Sequence, residues 1–92
     1  MKLVSIIVPM YNEEAVVDFF FAGINPILKA LEQTYKFEII TVNDGSKDRT
    51  LELLNNIQQK DTRVRVVNLT RNFGHESAVA AGLSVARGEA VI

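Results

Sequence analysis

Apolar positions along the chain fall into short, nearly continuous runs, separated by longer stretches in which they recur at three- and four-residue steps. Leu3-Val4-Ser5-Ile6-Ile7-Val8, ended by Pro9, has the near-unbroken apolarity of a central parallel strand covered on both faces. Phe37 to Val42 and Val64 to Leu69 predict a second and third strand, and Glu89-Ala90-Val91-Ile92 begins a fourth. A first helix is predicted from about Glu13 to Gln33, with Val16, Phe20, Ile24, Ile27, Leu28 and Leu31 as its apolar stripe. Asn12 reads as its N-cap, and Glu13 and Glu14 suit the positive end of its dipole. Pro26 lies inside it and predicts a kink or short break near Gly23–Asn25. Ser46 reads as the cap of a second helix, Lys47 to about Gln59, with Asp48 in its first turn and Leu51, Leu54 and Ile57 facing inward. The third helix, roughly His75 to Ala86, is rich in small residues (Ala78, Ala80, Ala81, Gly82, Ala86), which allows close approach to a sheet. Gly88 closes the turn into the fourth strand.

The resulting order, β-α-β-α-β-α-β with short connections, predicts an α/β fold built on a parallel sheet with right-handed crossovers. Ninety-two residues make at most one domain. The fourth strand stops after about four residues with no turn or cap. The expectation is therefore an amino-terminal part of a domain, cut in its fourth strand and incomplete as a functional unit. The unpaired edge of that strand would favour self-association.

Composition removes several classes of function. Ten basic and eleven acidic residues, spread along the chain, give a net charge of −1, which argues against bulk electrostatic capture of nucleic acid or of an anionic membrane. Without cysteine there is no disulfide, thiolate metal site or thiol nucleophile. The apolar run Leu3 to Met10 is too short for a membrane span and lacks the flanks of a signal peptide.

Ligands of open parallel sheets bind in the crevice at the carboxyl ends of the strands. Three polar loops fall there: Tyr11-Asn12-Glu13, Asn43-Asp44-Gly45-Ser46, and Thr70-Arg71-Asn72-Phe73-Gly74-His75. There is no Walker A loop, and Pro9-Met10-Tyr11-Asn12 stands where a dinucleotide fold would carry G-x-G-x-x-G. Glu13, Glu14 and Asp44 do not match the acidic pattern of a receiver domain. Asp44, ending a buried strand, could accept a hydrogen bond from a base N–H or could close an Asx-turn with Gly45 and Ser46; the residues alone leave both open. Tyr11 could stack on a base or simply pack, and Arg71 could pair with a diphosphate through its planar fork or remain solvated. His75, Glu76 and Ser77 are consecutive and do not face one another, so no catalytic triad is read there. Asn68-Leu69-Thr70 matches the N-glycosylation pattern, but at the end of a predicted buried strand it reads as coincidence. Phe19, Phe20 and Phe21 are assigned to the core and flank of the first helix.

Val4 through Glu14, Val42 through Thr50 and Leu69 through Leu83 together carry a family signature. In order and spacing they resemble family 2 glycosyltransferases of the GT-A fold. More narrowly they are similar to the polyprenyl-phosphate sugar transferases, the branch of dolichyl-phosphate mannose synthase and bactoprenol glucosyltransferase. The resemblance implies a three-layer nucleotide-diphospho-sugar transferase fold, of which residues 1–92 are the nucleotide-binding part. It implies that Pro9, Tyr11, Asn12 and Glu13 line the nucleoside pocket and that Asp44 hydrogen-bonds the base with Ser46 nearby. Arg71, Asn72 and Gly74 would form a loop closing over the nucleotide, with His75 at a variable polar position. Family members hold Mg²⁺ or Mn²⁺ with an acidic motif after the fourth strand. That motif would lie beyond Ile92, so no metal ligand and no catalytic residue is expected within these residues. The implied donor is a UDP- or GDP-sugar and the implied acceptor a polyprenyl phosphate, with the parent enzyme at the cytoplasmic face of a membrane and the fragment inactive alone. Two alternatives are a family 2 transferase with a sugar-hydroxyl acceptor in cell-surface polysaccharide synthesis, and a non-catalytic remnant.

Overall fold

A computed structural model describes all of residues 1–92. Its elements run β1 (Lys2–Met10), α1 (Val17–Leu31), β2 (Tyr35–Asp44), α2 (Thr50–Lys60), β3 (Val64–Leu69), α3 (His75–Val85) and β4 (Ala90–Val91). The strands form one parallel sheet in the order β3-β2-β1-β4, which is the predicted α/β architecture. From β1 the chain winds outward through β2 to β3, then returns across the sheet to place β4 on the other side of β1. Between β1 and β4 the direction of winding reverses, and such switch points open a crevice at the carboxyl ends of the strands.

Alternation along the strands supplies two cores. On one face Ile39, Met10 and Val64 pack with Val17, Phe21 and Leu28 of α1 and with Leu54 of α2. On the other, Ile40 and Val42 pack with Ala78 of α3, flanked by Ile7 and Val67. The small residues of α3 do what their size suggests. A Cβ added at Gly82 would stand 2.6 Å from Ile7 Cγ2, so the helix lies closer to the sheet there than any larger residue permits.

Several boundaries differ from the sequence reading, each for a physical reason. β1 runs through Pro9 to Met10. The odd residues of β1 direct their backbone groups toward β4, because Ile7 N–H donates to Ile92 O and Ser5 O accepts from Ile92 N–H. The N–H that Pro9 lacks would thus point away from β2, so its loss costs no bond of the β1–β2 ladder. α1 begins at Val17 rather than Glu13, and Asn12 is not its cap; the N-cap is Val16, without a side-chain bond. Asn12 instead adopts a left-handed φ of 51°. Pro26 does not break the helix, which is continuous to Leu31. The buried face of α1 overlaps the predicted stripe at Leu28, with Phe20 and Ile24 partly buried against the core, and departs from it at the other positions. Val17, Phe21 and Leu28 are buried, whereas Val16, Ile27 and Leu31 are exposed, as is Phe19. α2 begins at Thr50 rather than Lys47, and Ser46 is not its cap. Asp48 lies ahead of the helix and accepts from the Thr50 amide at 2.9 Å.

Candidate functional site

The first two loops of the carboxyl rim are stitched together by their own polar groups. Asn12 N–H donates to Ser46 Oγ (2.9 Å), Lys47 N–H donates back to Asn12 Oδ1 (2.8 Å), and Glu13 N–H donates to Thr50 Oγ1 (2.9 Å). Glu14 N–H reaches Asp48 Oδ2 at 3.2 Å. These bonds hold the amides that would otherwise start α1, which explains its late beginning. They also fix the backbone on which Tyr11 and Glu13 stand. The Asp48 carboxyl is held below the usual range, chiefly by the Thr50 hydroxyl, against a smaller opposing effect of desolvation.

Asp44 fastens the third loop to the second strand. It is 3% exposed. Its Oδ1 accepts from Phe73 N–H at 2.8 Å, and its Oδ2 accepts from Gly74 N–H at 3.1 Å and from Asn72 Nδ2 at 3.2 Å. The carboxylate therefore serves residues 72–74 and not an Asx-turn with Gly45 and Ser46. A carboxylate can accept about four hydrogen bonds, so capacity remains for one further donor. Gly45 makes this arrangement possible in two ways. Its φ is +69°, and a Cβ there would meet Arg71 C at 2.2 Å and Asn72 N at 2.3 Å, so the third loop crosses directly over it. Gly74 follows with φ of 101° and is the N-cap of α3.

Two adjoining clefts result. The first, about 340 Å³, is lined by Pro9, Tyr11, Glu13, Asp44, Asn72, Gly74 and His75 together with Met10. Its size is at the small end of ligand sites. The second, about 530 Å³, shares Tyr11 and Asn72 with the first and adds Ser46 and Arg71. The ten residues singled out in the sequence are thus divided: seven meet in one cleft, Ser46 and Arg71 line the other, and Asn12 lines neither. Arg71 lies over the Phe73 ring, with its guanidinium carbon 4.4 Å from the centroid. Tyr11 and Phe73 are both partly open to solvent.

The sequence reading gave no individual site role to Met10 in the first cleft or to Lys47 and Asn68 in the second, and named Asn43 and Thr70 only as members of the rim loops. Met10 carries no polar signal. Asn43 does, as an amide within an otherwise apolar strand: Nδ2 donates to Asn68 Oδ1 at 2.9 Å, while Oδ1 is buried without a donor. No three His, Cys, Asp or Glu side chains gather closely enough to hold a metal ion. No helix is long and apolar enough to cross a membrane.

Known proteins match this geometry along almost the whole chain. The sequence model of glycosyl transferase family 2 matches residues 5–92. An uncharacterized glycosyltransferase of Synechocystis sp. is 50% identical over 96% of this chain and 27% of its own length. The bactoprenol glucosyl transferase of Shigella phage SfV is 39% identical over 97% of this chain and 28% of its own. Among solved structures, the mannosyltransferase PcManGT of Pyrobaculum calidifontis, in complex with GDP-Man and Mn²⁺, superposes with a TM-score of 0.78 at 28% identity. That match covers 96% of this chain and 25% of the mannosyltransferase. Staphylococcus aureus TarS in complex with UDP-GlcNAc gives 0.70 at 31% identity, covering 100% of this chain and 25% of TarS. The chain thus spans little more than a quarter of the length of the curated relatives it matches.

Proposed function

The chain belongs to glycosyl transferase family 2, and from that premise we propose that it is the nucleotide-sugar-binding part of a hexosyltransferase acting on a polyprenyl phosphate. The observation that carries this is the 38–39% identity to bactoprenol glucosyl transferases over 97% of the chain. It is supported by a cleft at the carboxyl ends of β1 and β2, the side of the sheet on which a parallel α/β fold takes its ligands. The donor is a UDP- or GDP-sugar. Nucleotide sugars of both bases occur in the solved relatives, GDP-Man in the mannosyltransferase and UDP-GlcNAc in TarS.

In this reading the nucleoside occupies the first cleft. Tyr11, 42% exposed, offers a ring face to the base. Asp44 keeps the Asn72–Gly74 loop in place and offers its remaining acceptor position to a base N–H. Pro9, Glu13, Asn72, Gly74 and His75 form the walls, Asn12 holds the first loop in register against Ser46, and Arg71 closes the rim from the adjoining cleft. The divalent cation belongs to the longer protein rather than to these residues. In a transferase of this kind such a cation stabilises charge on the departing diphosphate. The acceptor is already an anionic phosphate, so positioning it matters more than deprotonating it. These residues alone bind and do not turn over. We place the longer enzyme at the cytoplasmic face of a membrane, where a polyprenyl phosphate would be reached.

Calorimetric titration of UDP and GDP into the chain and into a Tyr11→Ala variant tests the assignment. Binding by the parent chain that weakens at least about tenfold in the variant, the scale of one lost base–aromatic stack, supports it. Absent binding, or equal binding by both, would sink it.

A further inference from the structure

Toward the amino ends of the strands, away from the rim, a second buried carboxylate accepts from three donors. Glu38 is 7% exposed and Ser5 is completely buried, side by side on the α3 face of β2 and β1. Glu38 Oε2 accepts from Ser5 Oγ and from Arg87 N–H, both at 2.6 Å. Its Oε1 accepts from Arg65 Nη1 at 3.0 Å, and the same nitrogen donates to Val85 O, the last residue of α3, at 2.9 Å. Ser5 Oγ in turn accepts from Gly88 N–H at 2.8 Å. Burial alone would raise the Glu38 carboxyl, yet the Ser5 hydroxyl, the Arg87 amide and Arg65 together hold it below the usual range. Every partner of this pair except Arg65 lies on the connection from α3 to β4 or contacts it.

From this geometry we propose that Glu38 is a positioning residue which, with Ser5, sets the register and attachment of β4 on β1. Within residues 1–92 the β4 ladder comprises two pairs. It pairs only Ala90 with Val4 and Val91 with Ser5, and the flanking bonds are Glu89 N–H to Leu3 O, Ile92 N–H to Ser5 O and Ile7 N–H to Ile92 O. Gly88 supplies the register. A Cβ at that position would lie 2.5 Å from Ser5 Oγ and 2.7 Å from Ser5 N, so a slip by one residue would force Arg87 or Glu89 into space that admits no side chain. β4 runs parallel to β1 and heads for the rim that carries Tyr11. The clamp therefore sets where the β4 backbone approaches the first cleft. It stands independently of what that cleft binds.

Amide hydrogen exchange on the 92-residue chain tests the proposal without any nucleotide. In Glu38→Gln and in Ser5→Ala, exchange at Glu89, Ile92 and Ile7 should accelerate about tenfold or more, the loss expected from one hydrogen bond to a charged group. Ile39, whose amide bonds Arg63 O in the β2–β3 half of the sheet, should change much less. A purely stabilising role would speed all four amides together, and that outcome overturns the proposal, as does unchanged exchange at Glu89 and Ile92. Should Glu38→Gln fail to fold, Ser5→Ala removes a single hydroxyl and decides the matter by the same comparison.

Discussion

Replacing Asp44 with asparagine keeps the shape of the side chain and removes what holds the third loop. An amide oxygen can still accept from Phe73 N–H, but the NH₂ group would then face the Gly74 N–H and the Asn72 amide, donor against donor. Two of the three loop bonds, at 3.1 and 3.2 Å, are lost. The position is 3% exposed, so water does not replace them. A buried group left without its partner costs about 1–3 kcal/mol, more when the lost partner was charged. Counting the Gly74 amide as the main orphan and treating the flexible Asn72 side chain as free to turn away, the loss should be about 2–3 kcal/mol. For a domain of this size each kcal/mol moves the melting temperature by roughly 4–8 °C, so a fall of roughly 8–24 °C is expected by thermal denaturation. The damage should also be local, with exchange at the Gly74 amide rising more than at Ile39. A variant that melts within about 2 °C of the parent, well under the shift for 1 kcal/mol, with Gly74 protection intact, would refute the view that this carboxylate fastens the loop.

Other expectations follow from the same contacts. Gly45→Ala should destabilise the chain by at least about 2 kcal/mol, since it combines a left-handed backbone with a Cβ inside the Arg71–Asn72 backbone; urea denaturation measures it. The Glu38 carboxyl is depressed in the folded chain, so its contribution is present above the ordinary glutamate range and is lost as pH falls through the lower folded value. Denaturation of the parent should therefore show an acid-side loss of stability that Glu38→Gln shows less of, and identical profiles would count against the clamp.

The order and type of the elements were legible because each strand is an apolar run and each helix a periodic one. Val64–Leu69, bounded by polar residues on both sides, has the same limits in sequence and structure. The start of α1 was not legible, because it is decided by bonds from Asn12, Glu13 and Glu14 to groups more than thirty residues away. Its buried stripe was ambiguous for another reason. Residues 16–31 are apolar at so many positions that the pattern alone does not fix the buried face, and packing in one core with Ile39 and Leu54 adds Val17 and Phe21 to the predicted Leu28. Asp44 stood out by ending a buried strand. Its partners, on a loop that crosses Gly45, are a tertiary fact that no local pattern carries. The Glu38–Ser5 pair was invisible for the same reason, since two polar residues in separate strands signal nothing until the strands are placed side by side.

The most direct test of the nucleoside assignment is to follow backbone amide resonances while UDP and GDP are titrated into the chain. The account predicts saturable shifts at Tyr11, Glu13, Phe73, Gly74 and His75, around the first cleft, with Lys47, Asn68 and Thr70 of the adjoining cleft little affected. Shifts confined to that second cleft, or no saturable shift with either nucleotide, would contradict it.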